Sequence, residues 1–263
     1  MCRLLGYVTR TATTVADVVG ARDLEEFRHL SRTHGDGWGA AWPGDKGVET
    51  RVSVEPADDS DDFRDFAEHH VTDATLVHLR WATLGLAVTP DNTHPFTDGT
   101  VAFAHNGSVV PPESLDPLVD PALAARRRGD TDSERLFLIL LGHLRDAAPA
   151  QAFARMIESV EASVAFTSLN CMLLTPDALH VVSQLGNRPI ESKIVDTVGY
   201  YDIHYRADAD AVVVGSSGWP QHGWTPLPSG HLLTVERSTL ATTVTRLQAS
   251  ATPTASAQAR RLL

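Results

Sequence analysis

Cysteine is scarce in this chain of 263 residues: there are two, Cys2 and Cys171, too few to staple a fold of this length, so stability has to come from a buried core. Long apolar runs are missing as well. No uninterrupted stretch approaches the ~18 residues of a membrane span, and the first residues lack the charged-then-apolar pattern of a signal peptide. Nor is there a basic face. Twenty-two Lys and Arg stand against 33 Asp and Glu, for a net charge of −11 and a pI near 5.5, and the acidic residues cluster visibly only from Asp58 to Asp65. The densest positive run, Arg126-Arg127-Arg128, sits between Ala125 and Gly129 and reads as a loop rather than a polyanion site. These absences argue against nucleic-acid and membrane partners and lead to the expectation of a cytoplasmic protein.

What is present is enough hydrophobic residue, 43%, to bury one large core. No internal repeat or linker interrupts the chain, which predicts a single domain over residues 1–248. The stretch from Gln248 to Gln258 is rich in Ala, Ser and Thr without periodicity, so 249–263 is expected to be a disordered tail. Strand-like runs fall at Cys2 to Val8, Gly37 to Trp42, Val48 to Val54, Ala74 to Arg80 and Val101 to His105. Helical patterns follow at Leu24 to Thr33, Asp62 to His70, Ser133 to Arg145 and Gln151 to Ser163, the third capped by Asp132 or Ser133. Strands resume at Ser168 to Leu174, Ala178 to Ser183, Tyr200 to Tyr205, Ala211 to Val214 and His231 to Val235. Strands, a helical pair and more strands predict stacked sheets with helices on the outer faces.

Cys2 follows the initiator directly, so removal of Met1 would leave a terminal residue with both a thiol and a free α-amine. A thiol of pKa ~8.5 is only slightly ionised at neutral pH, and an amine of pKa about 7.7–8.0 is suited to take its proton. Nucleophile and general base then share one residue. The alternative is a small residue at the start of a strand. Cys171, inside the apolar run Leu169 to Leu174, reads as packing.

Five motifs bear on that choice. His34-Gly35-Asp36-Gly37-Trp38-Gly39 lets a backbone pass close to another group, or is a turn entering a strand. His78-Leu79-Arg80-Trp81-Ala82-Thr83 ends a strand in a guanidinium that needs an anionic partner, either a carboxylate of the protein or a ligand. Asn92-Thr93-His94-Pro95 precedes Ala104-His105-Asn106-Gly107, where Asn-Gly means a hairpin turn by default, but a side-chain amide beside a glycine N–H also makes an oxyanion hole. Asp130-Thr131-Asp132-Ser133-Glu134 reads as a helix cap with a carboxylate to spare.

Taken together, the terminal Cys and these motifs resemble the glutaminase domain of class II glutamine amidotransferases, which are N-terminal-nucleophile hydrolases. The resemblance runs from Cys2 to about Glu134, with a weaker continuation at Val214-Gly215-Ser216-Ser217 and from Trp224 to Gly230. It implies an α+β fold, the four-layer αββα sandwich, in agreement with the element order. It implies a Cys2 thiolate that attacks a γ-glutamyl amide, with Asn106 and the Gly107 N–H holding the oxyanion, Arg80 gripping the α-carboxylate and Asp132 the α-ammonium. Trp81, Thr83 and the Gly37-Trp38 backbone would line the same pocket. No cofactor is implied. A three-histidine zinc site of His78, His94 and His105 is the competing reading. Without a His-Glu-x-x-His spacing, these residues are instead expected to pack and hydrogen-bond, with no metal.

The substrate would be a small molecule, glutamine or another γ-glutamyl amide. The chain would serve as a stand-alone hydrolase, like the γ-glutamyl hydrolases of ergothioneine formation or glutathione breakdown, or as a glutaminase subunit feeding a synthase partner. A silent domain that only binds γ-glutamyl ligands is the alternative of another class. Trp219, Trp224 and Tyr200 to Tyr205 are the expected lining of a pocket for a bulky leaving amine.

Overall fold

The computed structural model describes residues 2–83, 85–188 and 199–247. The expected tail lies outside them, as does Met1. Two antiparallel sheets face each other. The first contains β1 (Arg3–Thr13), β2 (Trp38–Gly44), β3 (Gly47–Ser53) and β4 (Thr72–Leu79). The second contains β5 (Phe96–Thr97), β6 (Ala102–Val109), β7 (Phe166–Leu174) and β8 (Ala178–Ser183). The first sheet also takes β9 (Ile203–Ala207), β10 (Ala211–Ser216) and β11 (Thr225–Leu227), and the second is completed by β12 (His231–Glu236) and β13 (Thr242–Arg246). Their orders are β11-β9-β10-β1-β4-β2-β3 and β13-β12-β8-β7-β6-β5.

Three apolar clusters define the layers. Leu4, Val8, Ala74, Leu76, Ala102, Ala104 and Met172 meet between the sheets. Leu5, Tyr7, Val77 and Leu79 face the other way, onto α1 (Val15–Val19), α2 (Ala21–His29) and α3 (Asp61–His69). Phe103, Leu169, Cys171 and Leu173 face α5 (Asp132–Leu144) and α6 (Pro149–Ser163), with the short α4 (Pro121–Ala124) beside them. The result is the expected αββα sandwich. No helix among the described residues is long and apolar enough to cross a membrane.

Local chemistry explains the elements. In α3, Ser60 Oγ accepts from the Phe63 N–H at 3.3 Å, and Phe63, Phe66 and Ala67 form one buried face. The cap of α5 is Thr131 rather than Asp132 or Ser133: its Oγ1 accepts from Glu134 N–H at 3.1 Å. Glu134 in turn accepts from the N–H groups of Arg128 and Gly129, which leaves the Asp132 carboxylate free of capping duty. Helix α5 is buried on nearly all faces because β6 and β7 cover one side while Leu115, Val119, Phe153 and Met156 cover others.

Asn106-Gly107 is not a hairpin turn. Strand β6 runs through it to Val109, with Asn106 opposite Asn170 and Gly107 opposite Leu169, and the register shifts between Gly107 and Val109. A Cβ at Gly107 would lie 1.9 Å from the Ser168 carbonyl oxygen, so glycine is needed for the close approach of two strands at an irregularity.

Candidate active site

Strand alternation carries chemistry to the end of the sandwich. On β4, Ala74 and Leu76 point between the sheets, and the period of two continues through His78 to Arg80. On β1, Leu4 and Val8 do the same, which puts Cys2 on that side, and Arg3 pairs with Leu79 so that Cys2 and Arg80 end adjacent strands. On β6, Ala102 and Ala104 lead to Asn106. Polar residues thus take over where the apolar filling between the sheets stops.

Cys2 is 8% exposed, and its Sγ–H donates to the Trp81 carbonyl at 3.7 Å. Burial pushes its thiol up; the chain-terminal amine and Arg80 pull it back, and Asp132 adds to the rise. Arg80 is buried and bonds the carbonyls of Asp36 at 3.3 Å and Ala87 at 3.1 Å. Neither partner is a carboxylate, so no described residue supplies a counter-charge by direct contact, and donors of the guanidinium remain for another anion.

The side-chain amide of Asn106 is fully buried, yet neither its Oδ1 nor its Nδ2 has a hydrogen-bond partner among the described residues. Its neighbour across the ladder, Asn170, is satisfied: Nδ2 donates to the Tyr201 carbonyl at 2.6 Å and Oδ1 accepts from Gln184 N–H at 2.9 Å. Asp132, in the first turn of α5, accepts from Val109 N–H at 2.7 Å through Oδ2, and the helix N-terminus favours its negative charge. Its Oδ1 has only a long contact, 3.4 Å, from Ser133 Oγ.

The glycine-rich motif holds these parts in register. The Gly37 carbonyl accepts from the Arg80 N–H at 2.8 Å, the Asp36 N–H donates to the Arg80 carbonyl at 3.1 Å, and Asp36 Oδ2 accepts from Ala82 N–H at 2.7 Å. Gly39 makes room for the next motif: a Cβ there would lie 2.1 Å from the His94 carbonyl oxygen. Asn92 then ties both sides together. Its Nδ2 donates to the Ala87 carbonyl that also receives Arg80, and its Oδ1 accepts from the Asp130 N–H, two residues before Asp132.

Other expected residues fare differently. The ring of Trp38 is not at the site; it is fully buried in the helix-side core, donating Nε1–H to Ser60 Oγ and packing edge-on against Phe63. Trp219 and Trp224 are likewise taken up there, edge-to-face with each other, Trp219 also against Phe27. Both rings thus belong to the helix-side cluster rather than to the space between the sheets. Trp81 packs edge-on against His34, and Thr83 offers its carbonyl to Leu86 N–H.

Tyr200 and Tyr201 do lie at the sandwich end. The Tyr200 carbonyl accepts from Arg3, and Tyr201 Oη donates to Thr167 Oγ1. Arg3 was not anticipated. Its Nη1 also reaches the Cys2 carbonyl at 3.4 Å, and its guanidinium lies 4.0 Å from the centre of the Tyr200 ring. A cleft of about 420 Å³ opens on the far side of the 90–98 segment, near Phe96, Arg126 and Phe137; Cys2, Arg80 and Asn106 do not line it.

The histidines divide. His105 Nε2 faces the Ser168 carbonyl at 3.0 Å, so Nε2 carries the proton, and Nδ1, 2.9 Å from Ser133 Oγ, accepts from the hydroxyl. His78 and His94 instead face each other, Nε2 to Nδ1 at 2.9 Å, close to Cys2.

The fold is thus a sandwich of two antiparallel sheets between helices, with Cys2, Arg80 and Asn106 on strands that end at one side of it. Comparison with known proteins makes it specific: residues 1–259 match the family model of class II glutamine amidotransferases, and the chain belongs to that family. It is 26% identical over 245 residues to the γ-glutamyl-hercynylcysteine sulfoxide hydrolase of Mycolicibacterium smegmatis, covering 89% of this chain and 96% of that one. The solved class II domain protein of Silicibacter pomeroyi superposes with a TM-score of 0.64 at 23% identity, over 92% of this chain and 98% of the other. The glutamine phosphoribosylpyrophosphate amidotransferase of Bacillus subtilis gives 0.62 at 15% identity, over 94% of this chain and 49% of its own. At these identities the two structures speak for the fold alone.

Proposed function

We propose that the chain hydrolyses a γ-glutamyl amide through a thioester on Cys2. The observation that carries this reading is the buried amide of Asn106, without a partner among the described residues, on the strand face that looks into the space between the sheets, toward which Cys2 and Arg80 point from the other sheet. A fully buried amide left unpaired costs about 1–3 kcal/mol, and a substrate oxygen that gains charge in the transition state is the partner that would repay it.

With Met1 removed, the α-amine takes the Cys2 proton and the thiolate attacks the amide carbon. Asn106 Nδ2–H and the Gly107 N–H stabilise the oxyanion, and the amine returns the proton to the leaving nitrogen. Water then releases glutamate. Arg80 and the Asp132 Oδ1 hold the α-carboxylate and α-ammonium, with Trp81, Thr83 and the backbone of Gly37 and Trp38 forming walls.

The relative matched over nearly all of both chains is named for hydrolysis of a γ-glutamyl compound larger than glutamine. This favours a stand-alone hydrolase over a glutaminase subunit. Purified protein is expected to cleave at least one extended γ-glutamyl amide with a higher kcat/KM than glutamine, measured as free glutamate and free amine. Silence on every such amide until a synthase subunit is added would make the chain a glutaminase subunit.

Arg80→Lys tests recognition. Lysine keeps the charge and loses the planar fork, so KM is expected to rise about 10–100-fold, the cost of a hydrogen bond between charged groups. A substrate without the α-carboxylate should be poor for the wild type and little worse for the variant. Equal discrimination by both proteins would make Arg80 a structural cation.

A further inference from the structure

The facing pair His78 and His94 has no part in the reaction just described, and it stands beside the nucleophile. One ring nitrogen from each and Cys2 Sγ all lie within 4.8 Å of one another, and the three residues are buried. We propose that Cys2, His78 and His94 form an inhibitory site for a borderline-soft divalent cation, zinc above all. Binding requires only these three side chains; inhibition rests on Cys2 being the nucleophile.

Donor chemistry and geometry both fit. Thiolate and imidazole are the ligands zinc prefers, and Zn–S near 2.3 Å with Zn–N near 2.0–2.1 Å puts tetrahedral ligand atoms roughly 3.3–3.6 Å apart. The two facing nitrogens, at 2.9 Å, would part by roughly half an ångström, and the Cys2 sulfur, within 4.8 Å of a ring nitrogen of each histidine, would draw in to the same spacing. Both rings are buried, and neutral imidazole is the form that binds metal. His105 is excluded because Ser133 and Ser168 occupy its two nitrogens.

The protons balance without redox chemistry. The thiol proton leaves to solvent as the S–metal bond forms. The proton shared between the facing nitrogens moves by tautomerisation to a far ring nitrogen; His94 Nε2, buried and without a partner among the described residues, is available for it. With Met1 removed, the α-amine of Cys2 adds a fourth donor in a five-membered chelate ring. A sulfur held this way cannot attack an amide, so the ion keeps the enzyme idle until it is withdrawn.

Cobalt(II) is the probe. Chelator-treated full-length protein titrated with Co²⁺ is expected to show a thiolate-to-cobalt charge-transfer band at one equivalent, displaced by Zn²⁺, with γ-glutamyl amide hydrolysis lost in proportion and restored by EDTA. Cys171→Ser should keep the band and Cys2→Ala should lose it. His78→Gln and His94→Gln should each weaken binding by more than the roughly 10–100-fold typical of losing an outer-shell partner. If one histidine variant fails to fold by circular dichroism, the other reports on the same ligand set.

An active wild type with no band overturns the site, as does unchanged affinity in a folded histidine variant. A Cys2-dependent band with activity intact overturns the inhibition. A Cys2-dependent band in a protein that cleaves no γ-glutamyl amide leaves the metal site standing and removes the proposed function.

Discussion

Cys2→Ala is expected to lower kcat by roughly 10⁴-fold or more, the scale on which covalent catalysis fails when its nucleophile is removed, while Cys171→Ser stays active. The contrast follows from the face each thiol occupies. Cys171 sits on β7 between Leu169 and Leu173, in the core against α5 and α6, and donates to the Leu169 carbonyl at 3.1 Å. Burial holds its thiol well above the usual range, with Asp132 adding to the shift. Cys2 stands on the opposite side of the sandwich's chemistry, at the end of β1 beside Arg80.

A glutamine-like electrophile such as diazo-oxo-norleucine should therefore label one peptide, beginning at Cys2, and intact mass should show Met1 gone from active protein. Label on Cys171 would refute the assignment. Full activity with Met1 retained would refute the terminal amine as base.

Which parts of the molecule could be read in advance follows a physical division. Residues whose partners are close in sequence or repeat with the period of an element were legible: the apolar alternation of β1, β4 and β6, the capped amphipathic α3, and the long buried α5. The site motifs were legible as a set because each supplies a chemically unusual residue next to glycine or at a strand end.

Tertiary partners decided the rest. Asn106-Gly107 reads locally as a turn, and only the approach of Ser168 from β7 makes it a strand with an irregularity. Trp219 and Trp224 are large aromatics near a family-like segment, yet Phe27, nearly two hundred positions away, claims Trp219 for the helix-side core. Arg3, Asp36, Asn92 and Asn170 carry no local sign of their roles, since each acts through a backbone group of a distant segment. His78 and His94 could be grouped from the sequence only with His105; that Cys2 takes the third place was unreadable for the same reason. Three strand and loop ends meet there, and no spacing within one segment encodes their meeting.

Asn106→Leu is expected to do two things that ordinarily oppose each other: kcat should fall about 10²–10³-fold while the protein becomes more stable. The first effect is the usual cost of removing one oxyanion donor. The second follows from the state of the resting side chain. Its Oδ1 and Nδ2 are both buried without a partner among the described residues, whereas Asn170 across the ladder is bonded at both ends. Leucine has nearly the same shape, brings no polar atom, and extends the apolar surface of Ala102 and Ala104 on the same strand face. Relief of the desolvation penalty is worth about 1–3 kcal/mol, which for a domain of this size corresponds to a rise in Tm of roughly 2–4 °C per kcal/mol.

Asn170→Leu is the control. It breaks bonds to Tyr201 and Gln184 and should lower Tm. Thermal melts of the two variants, alongside kcat on the best γ-glutamyl amide, separate the cases. If Asn106→Leu melts below the wild type and loses activity only in step with its folded fraction, Asn106 is a structural residue and the oxyanion assignment fails. If it melts higher and is inactive, the strain built into the resting site is there for the transition state.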